Sequence, residues 1–139
     1  MTWKELKATK VGTILHDKDE EGLRFIIMRG PASLCAYIGL PLNHPLADQN
    51  YNDLPIQAHG GLTFGRVGED EWPKGYFWFG WDYAHGRDYS FGDDNFLPFQ
   101  GHHRRWLVDD VIRDSQNTIY NFQQLMRLVE RLTKWSQKD

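Results

Sequence analysis

Between residues 11 and 85 the apolar positions come in short alternating or β-branched runs, and after residue 106 their spacing changes to three and four. VGTILHD (11–17) and GLRFIIMRG (22–30) flank the charged tetrapeptide KDEE and predict a hairpin. SLCAYIGL (33–40), set off by Gly30-Pro31 and closed by Pro41, predicts a third strand. LNHPLADQNYNDLP (42–55) reads as a long ordered loop, because its prolines and Asn/Asp residues suit turns. IQAHGGLTFGRV (56–67) returns to strand character, with a bulge or close backbone approach expected at its double glycine. After the turn GEDEWPKG (68–75), GYFWFGWDYAH (75–85) carries the strongest strand signal.

Strand alternation divides that last run into two faces. Phe77, Phe79, Trp81 and Tyr83 form one aromatic stripe, while Trp78, Gly80, Asp82 and Ala84 lie on the other, where a flat group would fit over Gly80. GRDYSFGDDNFLPFQG (86–101) predicts a second long loop. From Trp106, Leu107, Val108, Val111 and Ile112 recur at helical spacing, and Ile119, Phe122, Leu125, Met126, Val129, Leu132 and Trp135 continue it. A kink or restart is expected at 115–118. The resulting fold class is α+β: an antiparallel β-meander of about five strands (11–85), then one or two C-terminal helices (106–136), in a single domain spanning 1–139. The helical segment can pack on the sheet or pair with a second copy, and a homodimer or higher homo-oligomer is expected.

Charge narrows the choice of partner. Sixteen Lys and Arg against nineteen Asp and Glu give a net charge of −3, with no basic run, which disfavours general nucleic-acid binding. There is no secretory h-region and no apolar run of about 18 residues, so a cytoplasmic protein that does not enter membranes is expected. The single cysteine, Cys35, sits in a strand-like run and reads as packing. Twelve of the twenty Phe, Trp and Tyr residues fall between Trp72 and Trp106, which directs attention to that third of the chain.

Three chemistries compete for the polar residues there. His59, His85, His102 and His103 with Asp82 and Asp88 are potential metal ligands, but their spacing matches no compact metal motif, and no metal or cofactor is expected. A His/Asp pair such as His85 or His59 with Asp88 or Asp82 would suit a small nucleotide hydrolase or phosphodiesterase, although no nucleophile elbow or phosphate loop accompanies it. Binding uses the same residues without a reaction: Trp78 stacks a base, Asp82 or Asp88 accepts from a ribose, and Arg104 and Arg105 meet a phosphate at the helix start. A protein-protein interaction module is the remaining alternative.

AYIGLPLNHPLADQNY (36–51), HGGLTF (59–64) and YFWFGWDYAH (76–85), followed by a helical C-terminus, resemble small phage and prophage proteins with the same order of segments. The chain also resembles the Thoeris anti-defence sponge proteins, which sequester cyclic ADP-ribose signals. The resemblance covers roughly residues 34–114. It implies a non-catalytic binder of a nucleotide-derived signalling molecule in an infected bacterial host cell, with C-terminal helices interlocking a dimer. The ligand-binding positions it implies are His59, Gly60, Gly61, Phe64, Trp81, Asp82, Tyr83, His85 and Asp88. Arg87 departs from the pattern, which has glycine there, as does the helix opening at Leu107-Val108-Asp109-Asp110.

Overall fold

The computed structural model describes residues 1–70, 72–95 and 103–136; His102, one of the histidines considered above, lies outside them. Five antiparallel strands, β1 (Ile14–Glu20), β2 (Leu23–Arg29), β3 (Leu34–Pro41), β4 (Phe64–Val67) and β5 (Tyr76–Asp82), form one sheet. They lie between a short helix α1 (Trp3–Ala8) and the long C-terminal helix α2 (Val108–Ser136), an α+β arrangement. The sheet order is β1-β2-β3-β5-β4. Strand β5 therefore lies inside the sheet, between β3 and the edge strand β4, and the 42–63 segment carries the chain past it to that edge. The α2-side core covers one face of β5 and a layer of aromatic rings the other, and a strand covered on both sides reads as a continuous hydrophobic run.

Local chemistry sets the elements. The β1–β2 turn is tighter than KDEE suggests, since β1 runs to Glu20 and the chain reverses at Glu21 (φ 33°) and Gly22 (φ 92°). Of the 56–67 run, only Phe64–Val67 pairs in the sheet. His59-Gly60-Gly61 instead turns with positive φ at both glycines (69° and 84°), a conformation that glycine adopts without a Cβ clash. Helix α2 is unbroken across 115–118, because Ser115 and Thr118 face inward and the Thr118 hydroxyl donates to the Gln57 carbonyl (2.8 Å). Asp110 accepts from the Leu107 backbone N–H at 3.0 Å, satisfying a donor at the helix start.

The core lies between α2 and one sheet face. Phe25, Ile27, Ala36, Ile38, Phe79 and Trp81 meet Val111, Ile119, Phe122 and Met126 there. Phe77, Phe79, Trp81 and Tyr83 share one face as alternation requires, that face is the one turned to the core, and Phe79 packs on Phe122 with ring centroids 5.7 Å apart. At 29 residues, α2 is about 44 Å long, whereas five paired strands span only roughly 20 Å. Its last turns therefore overhang the sheet, leaving Leu128, Leu132 and Trp135 exposed. No helix among the described residues is long and apolar enough to cross a membrane.

The helix-free face is covered by its own rings. Gly39 pairs with Trp78 and Gly80 with Tyr37 across β3 and β5, and each ring lies on the opposite glycine. A Cβ on Gly80 would fall 2.4 Å from the Tyr37 ring, and one on Gly39 would fall 2.7 Å from Trp78. Trp72 closes over both, 4.4 Å from Tyr37 and 5.9 Å from Trp78.

Candidate functional site

Asp88 organises the candidate site. It follows β5 in a loop whose backbone folds the Asp88 N–H onto the His85 carbonyl (2.8 Å), while the His85 N–H returns to Asp88 Oδ2 (2.9 Å). His59 Nε2 donates to the same oxygen at 2.7 Å, and Trp106 Nε1 donates to Oδ1 at 2.7 Å. A buried carboxylate costs several kcal/mol to desolvate, and three charge-assisted bonds of roughly 1.5–3 kcal/mol each offset that cost. Asp88 thereby ties together the glycine turn at 59–61, the end of β5 and the segment leading into α2.

The imidazole of His59 is held from several sides. It stacks on Tyr83 (4.5 Å between centroids, 16° between planes) and meets the edge of Trp106 at 4.9 Å. Because the carboxylate can only accept, Nε2 carries the proton of the His59–Asp88 bond, and Nδ1 is the nitrogen left for other partners. Tyr83 donates its phenol proton to Asp114 Oδ2 (2.7 Å) and accepts from Trp81 Nε1 (3.1 Å). Burial pushes the Tyr83 phenol well above its usual range, so it remains a donor at neutral pH. Beside this cluster a polar hollow of about 210 Å³ opens between the 57–59 segment and α2, lined by Gln57, Ala58, His59, Asp114, Asn117 and Thr118.

His85 occupies the other side of the glycine turn, its ring 5.7 Å from that of His59. A Cβ on Gly60 would lie 2.2 Å from His85 Nε2, so the ring and the bare glycine require one another. His85 Nε2 is buried and comes within 3.2 Å of Asp82 Oδ1, but lacks hydrogen-bond alignment. Among the described residues, no group of three or more His, Cys, Asp or Glu side chains is arranged to hold a metal ion.

Of the sequence-derived positions, the structure brings together His59, Gly60, Gly61, Tyr83, His85 and Asp88, with Asp82 at the margin. Phe64 lies on the helix-free face against Tyr37 and Trp72, away from this cluster. The space expected over Gly80 is filled by Tyr37, and Trp78 is fully buried with Nε1 bonded to the Pro73 carbonyl (3.1 Å). Trp81 faces the core.

Arg104 and Arg105 diverge. The Arg104 guanidinium lies 3.9 Å from the Trp106 ring centre and pairs with Asp110. Arg105 reaches Asp94 (3.0 Å) and faces Trp3 and Tyr89. The arginines therefore do not form the single phosphate clamp expected from their adjacency. Sequence reasoning overlooked Trp106 as a partner of Asp88, and Asp114, Asn117, Thr118 and Gln57 as pocket walls. The helical spacing of Asp114, Asn117 and Thr118 places them on one side of α2 and was the available signal. Compared with known protein families, curated proteins and solved structures, the chain matches none.

Proposed function

We propose that this protein binds and sequesters a nucleotide-derived immune signal, a cyclic ADP-ribose isomer or a cyclic oligonucleotide, without cleaving it. On this reading it is a phage-encoded anti-defence protein acting in the cytoplasm of an infected bacterial cell. The supporting observation is the meeting of HGG (59–61) and DYAHGRD (82–88) through the Asp88–His59 bond, beside the polar hollow formed with α2. Carboxylate, amide, hydroxyl and imidazole groups line that hollow, a chemistry suited to the hydroxyls of a ribose. The exposed Leu128, Leu132 and Trp135 on the overhanging end of α2 support a homodimer through the C-terminal helices.

Incubation with candidate signals, removal of free ligand and heat release of whatever is bound tests this function. Intact nucleotide in the released fraction is the expected result. The His59–Asp88 pair also favours a second reading, since a carboxylate that orients an imidazole is an arrangement used by a general base. Recovery of a hydrolysed nucleotide would replace sequestration by that chemistry.

A further inference from the structure

On the helix-free side of the β5 end, a trough of about 420 Å³ runs between the 31–35 segment and the start of the 83–88 loop. Pro31, Ala32 and Ala84 give it apolar walls, and Cys35 and Asp82, direct partners across β3 and β5, lie beneath. A smaller hollow of about 150 Å³ shares Cys35 and Asp82 and is bounded by Tyr37 and Phe64. Among the described residues, Asp82 is the one carboxylate lining either space. Its Oδ1 accepts from the Ala84 N–H (3.1 Å) and lies near His85, and no Lys or Arg pairs with it among the described residues. Arg29, at the end of β2, directs its donors to the carbonyls of Leu6, Lys7, Gly30 and Pro31 instead. Burial raises both the Cys35 thiol and the Tyr37 phenol, which keeps them uncharged at neutral pH.

From this juxtaposition of a carboxylate that meets His85 but no Lys or Arg among the described residues, apolar walls, and the two aromatic rings of the adjoining hollow, we propose that the trough at Asp82 binds an organic cation: a protonated amine or guanidinium on a short apolar stem. The carboxylate takes the charge, Pro31, Ala32 and Ala84 cover the stem, and Tyr37 and Phe64 offer ring contacts to the cation. A neutral stem alone lacks the first contact, and a phosphate would meet the carboxylate unfavourably. This trough is a different space from the hollow beside His59, although His85 stands between the two, and its occupancy does not require nucleotide binding.

The test is a titration of the isotope-labelled protein, followed by amide resonances, with n-butylammonium, N-acetylarginine amide and neutral n-butanol. Saturable shifts at Ser33, Cys35, Ala84 and His85 are expected with the two cations, and the tighter of them distinguishes a free amine from an arginine side chain as the source. In Asp82→Asn, which retains an oxygen for the Ala84 N–H, affinity should fall roughly tenfold, equivalent to about 1.4 kcal/mol. Proper folding of that variant is checked by its own amide dispersion. The proposal is overturned if n-butanol shifts the same residues as strongly, if neither cation saturates at millimolar concentration, or if well-folded Asp82→Asn binds as tightly as the parent.

Discussion

Trp106 Nε1 donates to Asp88 Oδ1 at 2.7 Å, joining the segment that leads into α2 to the loop that leaves β5. This bond and that of His59 divide the two oxygens of Asp88 between two aromatic neighbours. Asp88→Asn places an NH₂ group against at least one N–H donor and should lower the unfolding free energy by about 1–3 kcal/mol. Trp106→Phe keeps an aromatic ring of smaller size and removes only the Trp106 donor, leaving the His59–Asp88 bond, so it should cost less than Asp88→Asn. Urea denaturation of both variants checks the order; indistinguishable stability of Asp88→Asn and the parent would deny Asp88 its organising place.

The two glycines of the turn separate backbone strain from side-chain contact. Gly61 has positive φ but open space where a Cβ would go, so Gly61→Ala should cost about 1–2 kcal/mol for left-handed backbone alone. Gly60→Ala adds a collision with the His85 ring and should lower the melting temperature further. It should also move the His85 ring resonances, whereas Gly61→Ala should leave them nearly in place.

The visible and hidden parts of this molecule differ in physical range. Alternation from Phe77 to Tyr83 is local and correctly put four aromatic rings on one face, just as apolar spacing after Trp106 revealed α2. What lay over Gly80 depended on the register that sets Tyr37 opposite it, a relation between strands separated by more than thirty residues. Helix α1 was too short for a periodic signal, yet Thr2 and Glu5 form a capping box that was legible in the sequence. For the site, HGG and DYAHGRD were visible as separate stretches. Their joining by Asp88 and Trp106 was not, because buried polar partners are chosen by tertiary packing and leave no fixed spacing.

A pH effect should appear where α1 meets the rest of the chain. Burial opposes the charge of Asp94, but donors from Trp3, Tyr89 and Lys7 outweigh it and hold the carboxyl at about 2, below its ordinary 3.8. The folded value is the lower one, so this stabilisation is present above pH 3.8 and is lost as the pH falls towards about 2. Urea midpoints measured across that window should drop more steeply for the parent than for Asp94→Asn. Parallel curves would show that Asp94 contributes no such linkage.

The proposed association through the end of α2 makes its own prediction. Leu132→Glu puts a charge on an exposed position, so the melting temperature of the isolated fold should change little. Light scattering should nevertheless shift from a dimer towards the 16.3 kDa chain. A parent protein already at that mass under micromolar conditions would remove the dimer from the account.

The most direct test is to load the purified protein with cyclic ADP-ribose isomers and cyclic oligonucleotides, remove free ligand, denature by heat and identify the released molecules by mass spectrometry. Sequestration predicts near-stoichiometric recovery of one signal with its mass and chromatographic retention unchanged, and a large loss of recovery in Asp88→Asn. Recovery of a cleaved product, or of no nucleotide from any mixture, would contradict it.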